Sequence, residues 1–213
     1  SKDIVSKLKN HEDFRKLFSN FLYEIGYNKG ETFWDRFVVR VAPAENNLPY
    51  REASRINIHR DTWGTNLYQQ INWWAPVSNV EKKNTMIFYP DYFDVPVKNT
   101  TSTWDLNIYL ANRKKGDFSY PSAPQLKEDL PSNINKIPVT IKPGEILCFS
   151  GAHLHSSSKE KSENTRISFE IRTICENDLN SSAQAPNVDC DLQWKFPKIF
   201  KKINDNSPLK ITS

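Results

Sequence analysis

Seven short apolar runs, each ended by a turn signal, constrain the fold of this 213-residue chain more than any other feature. They are rich in β-branched and aromatic residues or alternate polar with apolar residues, as strands do. The runs cover residues 37–41, 55–59, 67–77, 85–89, 137–141, 145–150 and 166–174. Many short strands separated by turns predict a mainly β fold with flanking helices, built as an antiparallel double sheet of the jelly-roll type.

One helix is predicted ahead of these strands, over residues 12–26. Its apolar residues recur at helical spacing and fall on one face, which predicts packing against the sheet. They are Phe14, Leu17, Phe18, Phe21, Leu22 and Ile25. Gly26 follows as a stop signal.

The chain is expected to form a single domain, residues 1–213, because no linker or internal repeat divides it. The jelly-roll core is expected to span residues 37–175. It is interrupted by an irregular insertion at residues 91–135, of the kind that forms lids and binding loops. A polar tail, residues 178–213, is expected to wrap the surface.

Composition excludes several classes of partner. The net charge is only +4 and no run of five like charges occurs, so nucleic-acid binding is not expected. The apolar stretches are too short for a membrane span, and the start lacks the apolar core of a signal peptide. Three cysteines without CxxC spacing favour a reducing compartment. A cytoplasmic protein is therefore expected, and the oligomeric state is left open.

The histidines are few and are gathered at strand ends. Of the four, His11 precedes the helix as an exposed flank, whereas His59, His153 and His155 follow strand-like runs. His59 and Asp61 are two residues apart, so on a strand they share a face, and His155 on another strand could complete a metal site. Two imidazoles and one carboxylate match the facial triad of non-haem iron oxygenases. The alternative is a histidine simply hydrogen-bonded to its neighbouring aspartate.

Arg166 follows His155 by eleven positions, and one hairpin would place the two on adjacent strands. An arginine at the inner end of a barrel can bind a carboxylate with both prongs of its guanidinium. The acid that shares its strand face is Glu170. A structural Arg166–acid pair is therefore the alternative to a carboxylate ligand.

Four segments together resemble the Fe(II)/2-oxoglutarate-dependent dioxygenases of the phytanoyl-CoA hydroxylase-like branch. They resemble in particular a bacterial and phage-associated subgroup related to a streptomycin-biosynthesis oxygenase. The segments are HRDTWGTNLYQQINWWAPV, NTMIFYPDYFDVPVKNTTS, KPGEILCFSGAHLHSSS and NTRISFEIRT. The resemblance spans residues 55–174. It implies a double-stranded β-helix of cupin-like type that hydroxylates a small-molecule metabolite and releases succinate and CO2.

The resemblance also implies roles for individual residues. The iron ligands would be His59, Asp61 and His155. The cosubstrate 2-oxoglutarate would be held by Arg166, Ser157, Trp74, Asn72 and Gln70. Residues of loops and strand ends near the metal are candidates for substrate contact, and they are Trp63, Tyr89, Tyr92, Phe93, Trp104, His153 and Arg172.

Some alternatives stay open. His153 could replace His155 as a ligand, although its spacing to Arg166 fits the family less well. The carboxylate of Asp61 favours hydroxylation, desaturation or cyclisation over halogenation, since related halogenases have a small residue there. Three other functions are a non-oxidative cupin-like metal- or sugar-binding jelly roll, an inactive binding module and a zinc hydrolase. No HExxH motif supports the last.

Overall fold

A computed structural model describes residues 12–44, 56–117, 119–158, 160 and 162–211 of the chain. Its α-helices are α1 (Glu12–Glu24), α2 (Thr62–Thr65), α3 (Leu106–Lys114) and α4 (Glu176–Ser181). Its strands are β1 (Thr32–Trp34), β2 (Val38–Ala42), β3 (Ile71–Pro76), β4 (Met86–Phe88), β5 (Ile137–Pro138), β6 (Leu147–Ser150), β7 (His155–Ser157), β8 (Arg166–Cys175) and β9 (Lys201–Lys202). His11 and Arg55, which belong to predicted features, lie outside the described residues.

The strands form two antiparallel sheets. The larger sheet has the order β6-β3-β8-β1-β9, and β2 also pairs with β8. The smaller sheet has the order β5-β4-β7. Trp74 of the larger sheet and Met86 of the smaller sheet belong to one apolar cluster with Val139, so the two sheets pack face to face.

Helix α1 covers the outer face of the larger sheet. Phe18 and Leu22 of the helix pack with Trp73 and Ile171, which are opposite each other on β3 and β8. The predicted apolar face was too wide, because Leu17 and Ile25 are 67% and 48% exposed. The sheet covers only the narrower stripe around Phe18 and Leu22. The helix ends two residues before Gly26, whose φ of +100° is the left-handed conformation that favours glycine.

Beside the apolar cluster around Trp74, part of the inner face of the larger sheet is polar, which is unusual for a sheet face inside a fold. Asn72 on β3 lies opposite Arg172 on β8, and Arg40 on β2 lies opposite Ser168. The side chains of Arg40 and Glu170 on this face are 35% and 29% exposed. These charged groups are therefore partly accessible to solvent.

Several predicted segments differ from the structure. Residues 56–59 contain only an isolated bridge between His59 and His155 instead of a strand. The insertion at 91–135 contains helix α3, which Asp105 caps through bonds from the backbone of Asn107 and Ile108.

The tail is also more integrated than predicted. Phe200 and Leu209 are buried in a cluster with Phe33, and β9 extends the larger sheet. Strands β1 and β9 were not predicted, because runs of two or three residues are too short to show the alternation of polar and apolar residues that marks a strand. Within the described parts of the chain, every helix is too short or too polar to cross a bilayer.

Candidate metal centre

Two histidines meet where the segment before α2 joins strand β7. The backbones of His59 and His155 exchange both of their hydrogen bonds, N to O, at 3.0 Å each. Their ring centroids are 4.4 Å apart and both side chains are buried. The backbone pairing therefore fixes the two imidazoles side by side.

The Nδ1 atom of each ring is hydrogen-bonded to a backbone carbonyl. His59 Nδ1 donates to the carbonyl of Asn57 at 2.8 Å, and His155 Nδ1 donates to the carbonyl of His153 at 2.9 Å. Because a carbonyl can only accept, the proton sits on Nδ1 and leaves the lone pair on Nε2. This is the arrangement by which proteins orient histidine ligands for a metal.

Asp61 brings its carboxylate to both Nε2 atoms. Its Oδ1 is 3.6 Å from His59 Nε2, and its Oδ2 is 3.6 Å from His155 Nε2. The predicted reason for this proximity was wrong, because Asp61 is not on a strand. It has helical backbone angles as the N-cap residue of α2, and the turn directs its side chain back towards His59.

The protonation states suit a metal ligand set. Burial, with the charge of His59, lowers the pKa of His155 to about 4, although Asp61 opposes this shift. Burial by itself would raise the pKa of Asp61. The adjacent imidazoles and the Arg172 guanidinium outweigh burial and hold the pKa of Asp61 below its usual value. A neutral imidazole and an ionised carboxylate are the forms that bind metal ions.

The three side chains form a compact donor set. One atom from each of His59, Asp61 and His155 lies within 4.8 Å of the other two. Two imidazoles and one carboxylate suit a divalent transition metal and leave positions for other ligands. His153 takes no part in this set. Its ring packs against that of Phe93 at a tilt of 40°, with centroids 4.5 Å apart.

Arg60, between the two ligand candidates, anchors this segment. It is 2% exposed, and all five of its N–H groups have acceptors. Its Nε donates to Asp189 at 3.1 Å. The other four donate to backbone carbonyls, namely those of Ala152, Tyr92, Phe93 and Val95. One side chain thus joins the metal centre to the insertion and to the C-terminal segment.

Asp189 is a residue that the sequence analysis missed. Its carboxylate also accepts from Trp63 Nε1 at 2.7 Å and from the backbone of Val97 at 3.2 Å. It lies in a tail that was predicted to be a surface wrap, and no spacing relates it to Arg60. Only the folded chain reveals this contact.

Arg166 is a buried cation that forms no ion pair with any of the described residues. It is 4% exposed, and its Nε has no hydrogen-bond acceptor among the described residues. Its guanidinium lies 5.4 Å from the centre of the Trp74 ring. The proposed internal acid, Glu170, is bound instead to Arg40. Burial, and then the charge of Arg40, lowers the pKa of Arg166 to about 10, so it remains charged at neutral pH.

The position of Arg166 in the fold also differs from the prediction. His155 is on β7 of the smaller sheet, whereas Arg166 begins β8 of the larger sheet. The two strands are therefore not a hairpin, and the connection after β7 crosses from one sheet to the other. The two residues therefore lie on different sheets.

Arg172, the next arginine on the inner face, is already paired. Its Nε donates to Asp35 Oδ2 at 2.6 Å, and Asp35 Oδ1 accepts from the Arg172 backbone at 2.8 Å. Burial lowers the pKa of Arg172, but Asp35 and Asp61 outweigh it and raise the pKa above its usual value. The guanidinium remains one-quarter exposed.

The predicted cosubstrate residues Asn72, Gln70 and Ser157 make contacts within the protein. Asn72 Nδ2 donates to Asp61 Oδ2, and Gln70 Nε2 donates to Asn72 Oδ1 at 2.9 Å. The hydroxyl of Ser157 accepts from the backbone of Ile56 at 3.2 Å. Their roles towards 2-oxoglutarate stay predictions.

The candidates for substrate contact separate into two groups. Trp63 has no exposed surface, and Trp104 is buried with its Nε1 donating to the carbonyl of Pro121 at 2.9 Å, so their roles towards a substrate stay predictions. Tyr89 is buried against Ser156. The second group contacts residues of the donor set or their neighbours: the carbonyl of His153 accepts from His155, the carbonyls of Phe93 and Tyr92 accept from Arg60, and Arg172 interacts electrostatically with Asp61.

No protein-family model matches the sequence, and no curated protein matches it significantly. Among solved structures, EvdO2 from Micromonospora carbonacea var. aurantiaca in complex with 2-oxoglutarate is 9% identical, with a TM-score of 0.51. The match covers 82% of this chain and 64% of EvdO2. Apo ThoJ, described as a non-heme monooxygenase, is 14% identical with a TM-score of 0.45, covering 68% of this chain and 47% of ThoJ.

A third match is SnoK, a non-heme alpha ketoglutarate dependent carbocyclase from nogalamycin biosynthesis. It is 12% identical with a TM-score of 0.42, covering 81% of this chain and 62% of SnoK. The chain thus spans less than two thirds of the length of each of these three proteins. At these identities the EvdO2 match establishes the fold, and the chain has the predicted mainly β, cupin-like jelly-roll fold.

Proposed function

We propose that the protein is an Fe(II)- and 2-oxoglutarate-dependent oxygenase. In the proposed reaction, 2-oxoglutarate, dioxygen and a small-molecule substrate give succinate, CO2 and a hydroxylated product. His59, Asp61 and His155 would hold the iron. Iron and 2-oxoglutarate, when bound, supply the oxidising chemistry, and the protein binds and orients the reactants. Both cofactors are consistent with the donor set and with the 2-oxoglutarate complex of EvdO2.

The observation that carries the proposal is the buried Arg166, whose Nε has no acceptor among the described residues. Leaving a buried N–H of a cation unpaired is costly, which supports an anion-binding role for this guanidinium. On the same inner face Arg40 is paired with Glu170, and Arg172 with Asp35. A dicarboxylate ligand of the metal could place its second carboxylate on Arg166 with both prongs of the guanidinium.

The other side chains would orient these reactants. Trp74 lies beneath the Arg166 guanidinium and holds it by a cation–π contact, which fixes the direction in which it can bind an anion. The Nδ1 bonds of both histidines keep their Nε2 lone pairs available. His153 and Phe93 form an aromatic wall near the centre, where a substrate could dock.

The branch and the reaction type belong to this proposal. The four sequence segments support the phytanoyl-CoA hydroxylase-like branch. The ligand position held by Asp61 supports hydroxylation, because a halogenase would need that position for a halide. A non-oxidative, sugar-binding jelly roll would explain neither the buried Arg166 Nε, which lacks an acceptor among the described residues, nor the two Nε2 lone pairs beside Asp61.

Arg166→Leu is expected to weaken 2-oxoglutarate binding and to stabilise the ligand-free protein. The lost charge-assisted pairing costs about 2–5 kcal/mol of binding, or roughly 30-fold or more in Kd. Removing an uncompensated buried cation raises the free energy of unfolding by about 1–3 kcal/mol. Loss of the cation–π contact with Trp74 offsets part of this gain. Anaerobic calorimetric titration of the Fe(II)-loaded protein measures the first effect, and urea unfolding of the metal-free protein measures the second.

The exposed Arg36 provides the matched control, since Arg36→Leu should leave 2-oxoglutarate affinity unchanged. A structural ion pair at Arg166 would give the opposite sign in the unfolding experiment. An Arg166→Leu protein that binds 2-oxoglutarate as tightly as the wild type would place the carboxylate site elsewhere.

A further inference from the structure

A row of buried polar side chains runs from helix α2 to the carboxylate of Asp61. Thr65 Oγ1 donates to Gln70 Oε1 at 3.1 Å, Gln70 Nε2 donates to Asn72 Oδ1 at 2.9 Å, and Asn72 Nδ2 donates to Asp61 Oδ2. We infer that this row, together with Gly151, positions Asp61 for metal binding and so sets the metal affinity of the centre. The inference rests on the proposed role of Asp61 as a metal ligand.

The order of donors and acceptors along the row is set by Asp61 at its end. An ionised carboxylate can only accept, so Asn72 must present its NH2 group to Asp61. Its Oδ1 then faces Gln70 and must accept from Nε2, which turns Gln70 Oε1 towards the Thr65 hydroxyl. Each member has one orientation, and the last bond holds the Asp61 carboxylate against rotation, with its oxygens near both imidazoles.

Burial makes this row hard to replace by water. Gln70 has no exposed surface, Thr65 is 1% exposed and Asn72 is 5% exposed. In such surroundings hydrogen bonds strengthen one another, and an unpaired group carries the full cost of desolvation. A disturbance at Gln70 is therefore transmitted to Asn72 and from there to Asp61.

Gly151 permits the close approach on which the row depends. A Cβ atom at this position would lie 2.6 Å from Gln70 Nε2 and 3.4 Å from Asn72 Oδ1. The Gly151 backbone also donates to the carbonyl of Gln70 at 2.9 Å and accepts from the backbone of Thr62 at 3.2 Å. Glycine therefore lets the loop after β6 lie against the amides without displacing Gln70, while its backbone ties Gln70 to the turn that carries Asp61.

Gly151→Ala tests the inference by steric displacement of the Gln70 amide, without removing a polar group. Gly64→Ala is its matched control, because Gly64 is three residues from Asp61 and its Cβ would meet nothing within 4 Å. We expect Gly151→Ala to weaken Co(II) binding by about 10- to 100-fold, as for other outer-shell changes. The d–d spectrum of the bound Co(II) should also change, whereas Gly64→Ala should bind Co(II) like the wild type.

Gln70→Glu provides a second variant that leaves Gly151 in place, should the alanine disturb folding. The new carboxylate cannot donate to Asn72, so the Asn72 amide must turn its oxygen towards Asp61. A similar loss of Co(II) affinity is expected, measured by calorimetric titration of protein whose far-UV circular dichroism matches the wild type.

The outcomes separate this inference from the proposed function. If the wild type binds Co(II) and both variants bind it equally tightly with the wild-type spectrum, the row has no positioning role and the inference is overturned. If the wild type itself binds no Co(II), the proposed metal centre fails, and the positioning role fails with it.

Discussion

Asp61→Ala is expected to abolish 2-oxoglutarate turnover while leaving the fold intact. Asp61 is the carboxylate of the donor set, and without it only two imidazoles remain to bind a metal. Loss of a direct ligand should reduce Fe(II) affinity by more than the roughly 100-fold that outer-shell changes reach. Succinate production from 2-oxoglutarate and Fe(II) affinity, determined by anaerobic titration, are the two measurements.

The control for this variant is Asp94→Ala, an exposed aspartate in the insertion, which should change neither quantity. The circular dichroism spectrum of Asp61→Ala should match that of the wild type, because Asp61 is at a turn and packs no apolar cluster. Turnover retained in Asp61→Ala would mean that the iron ligands have been assigned to the wrong residues.

Arg60→Met is expected to destabilise the protein by about 3–5 kcal/mol, the usual cost of removing one partner of a buried ion pair. The substitution leaves the Asp189 carboxylate buried without its cation and leaves four backbone carbonyls without a donor. Since a domain has about 5–15 kcal/mol in total, the loss is large. Urea unfolding followed by tryptophan fluorescence measures it.

Two further proteins separate the charge effect from the packing effect. Arg36→Met, at an exposed position, should change the free energy of unfolding by less than about 0.5 kcal/mol. Asp189→Asn in the Arg60→Met background should recover part of the loss, because it removes the uncompensated charge. A loss below about 1 kcal/mol for Arg60→Met would show that Arg60 does not anchor the insertion and the C-terminal segment.

The donor set could be predicted from sequence because its signal is local and rare. His59 and Asp61 are two residues apart, and the chain has only four histidines, so chance placements are few. The geometric reason could not be predicted. A turn and a short helix bring Asp61 to His59, and an isolated backbone bridge brings His155 to the same point.

Contacts between distant segments account for what could not be predicted. Asp189 is 129 residues from Arg60, and no residue type or spacing links the two. The same holds for Arg40, which binds Glu170, the acid that the strand pattern offered to Arg166. The strand pattern specified which face of β8 is internal, but the choice among possible ion pairs on that face depends on the register of β2.

The most direct test of the account is an anaerobic titration of purified metal-free protein with Fe(II) and then with 2-oxoglutarate. Ferrous iron chelated by a 2-oxo acid gives a weak charge-transfer band in the visible spectrum. We expect this band to appear on addition of 2-oxoglutarate, to be absent in Asp61→Ala, and to require much higher 2-oxoglutarate concentrations in Arg166→Leu. Iron binding without the band would contradict the assignment of 2-oxoglutarate as cosubstrate, and the absence of iron binding would contradict the metal centre itself.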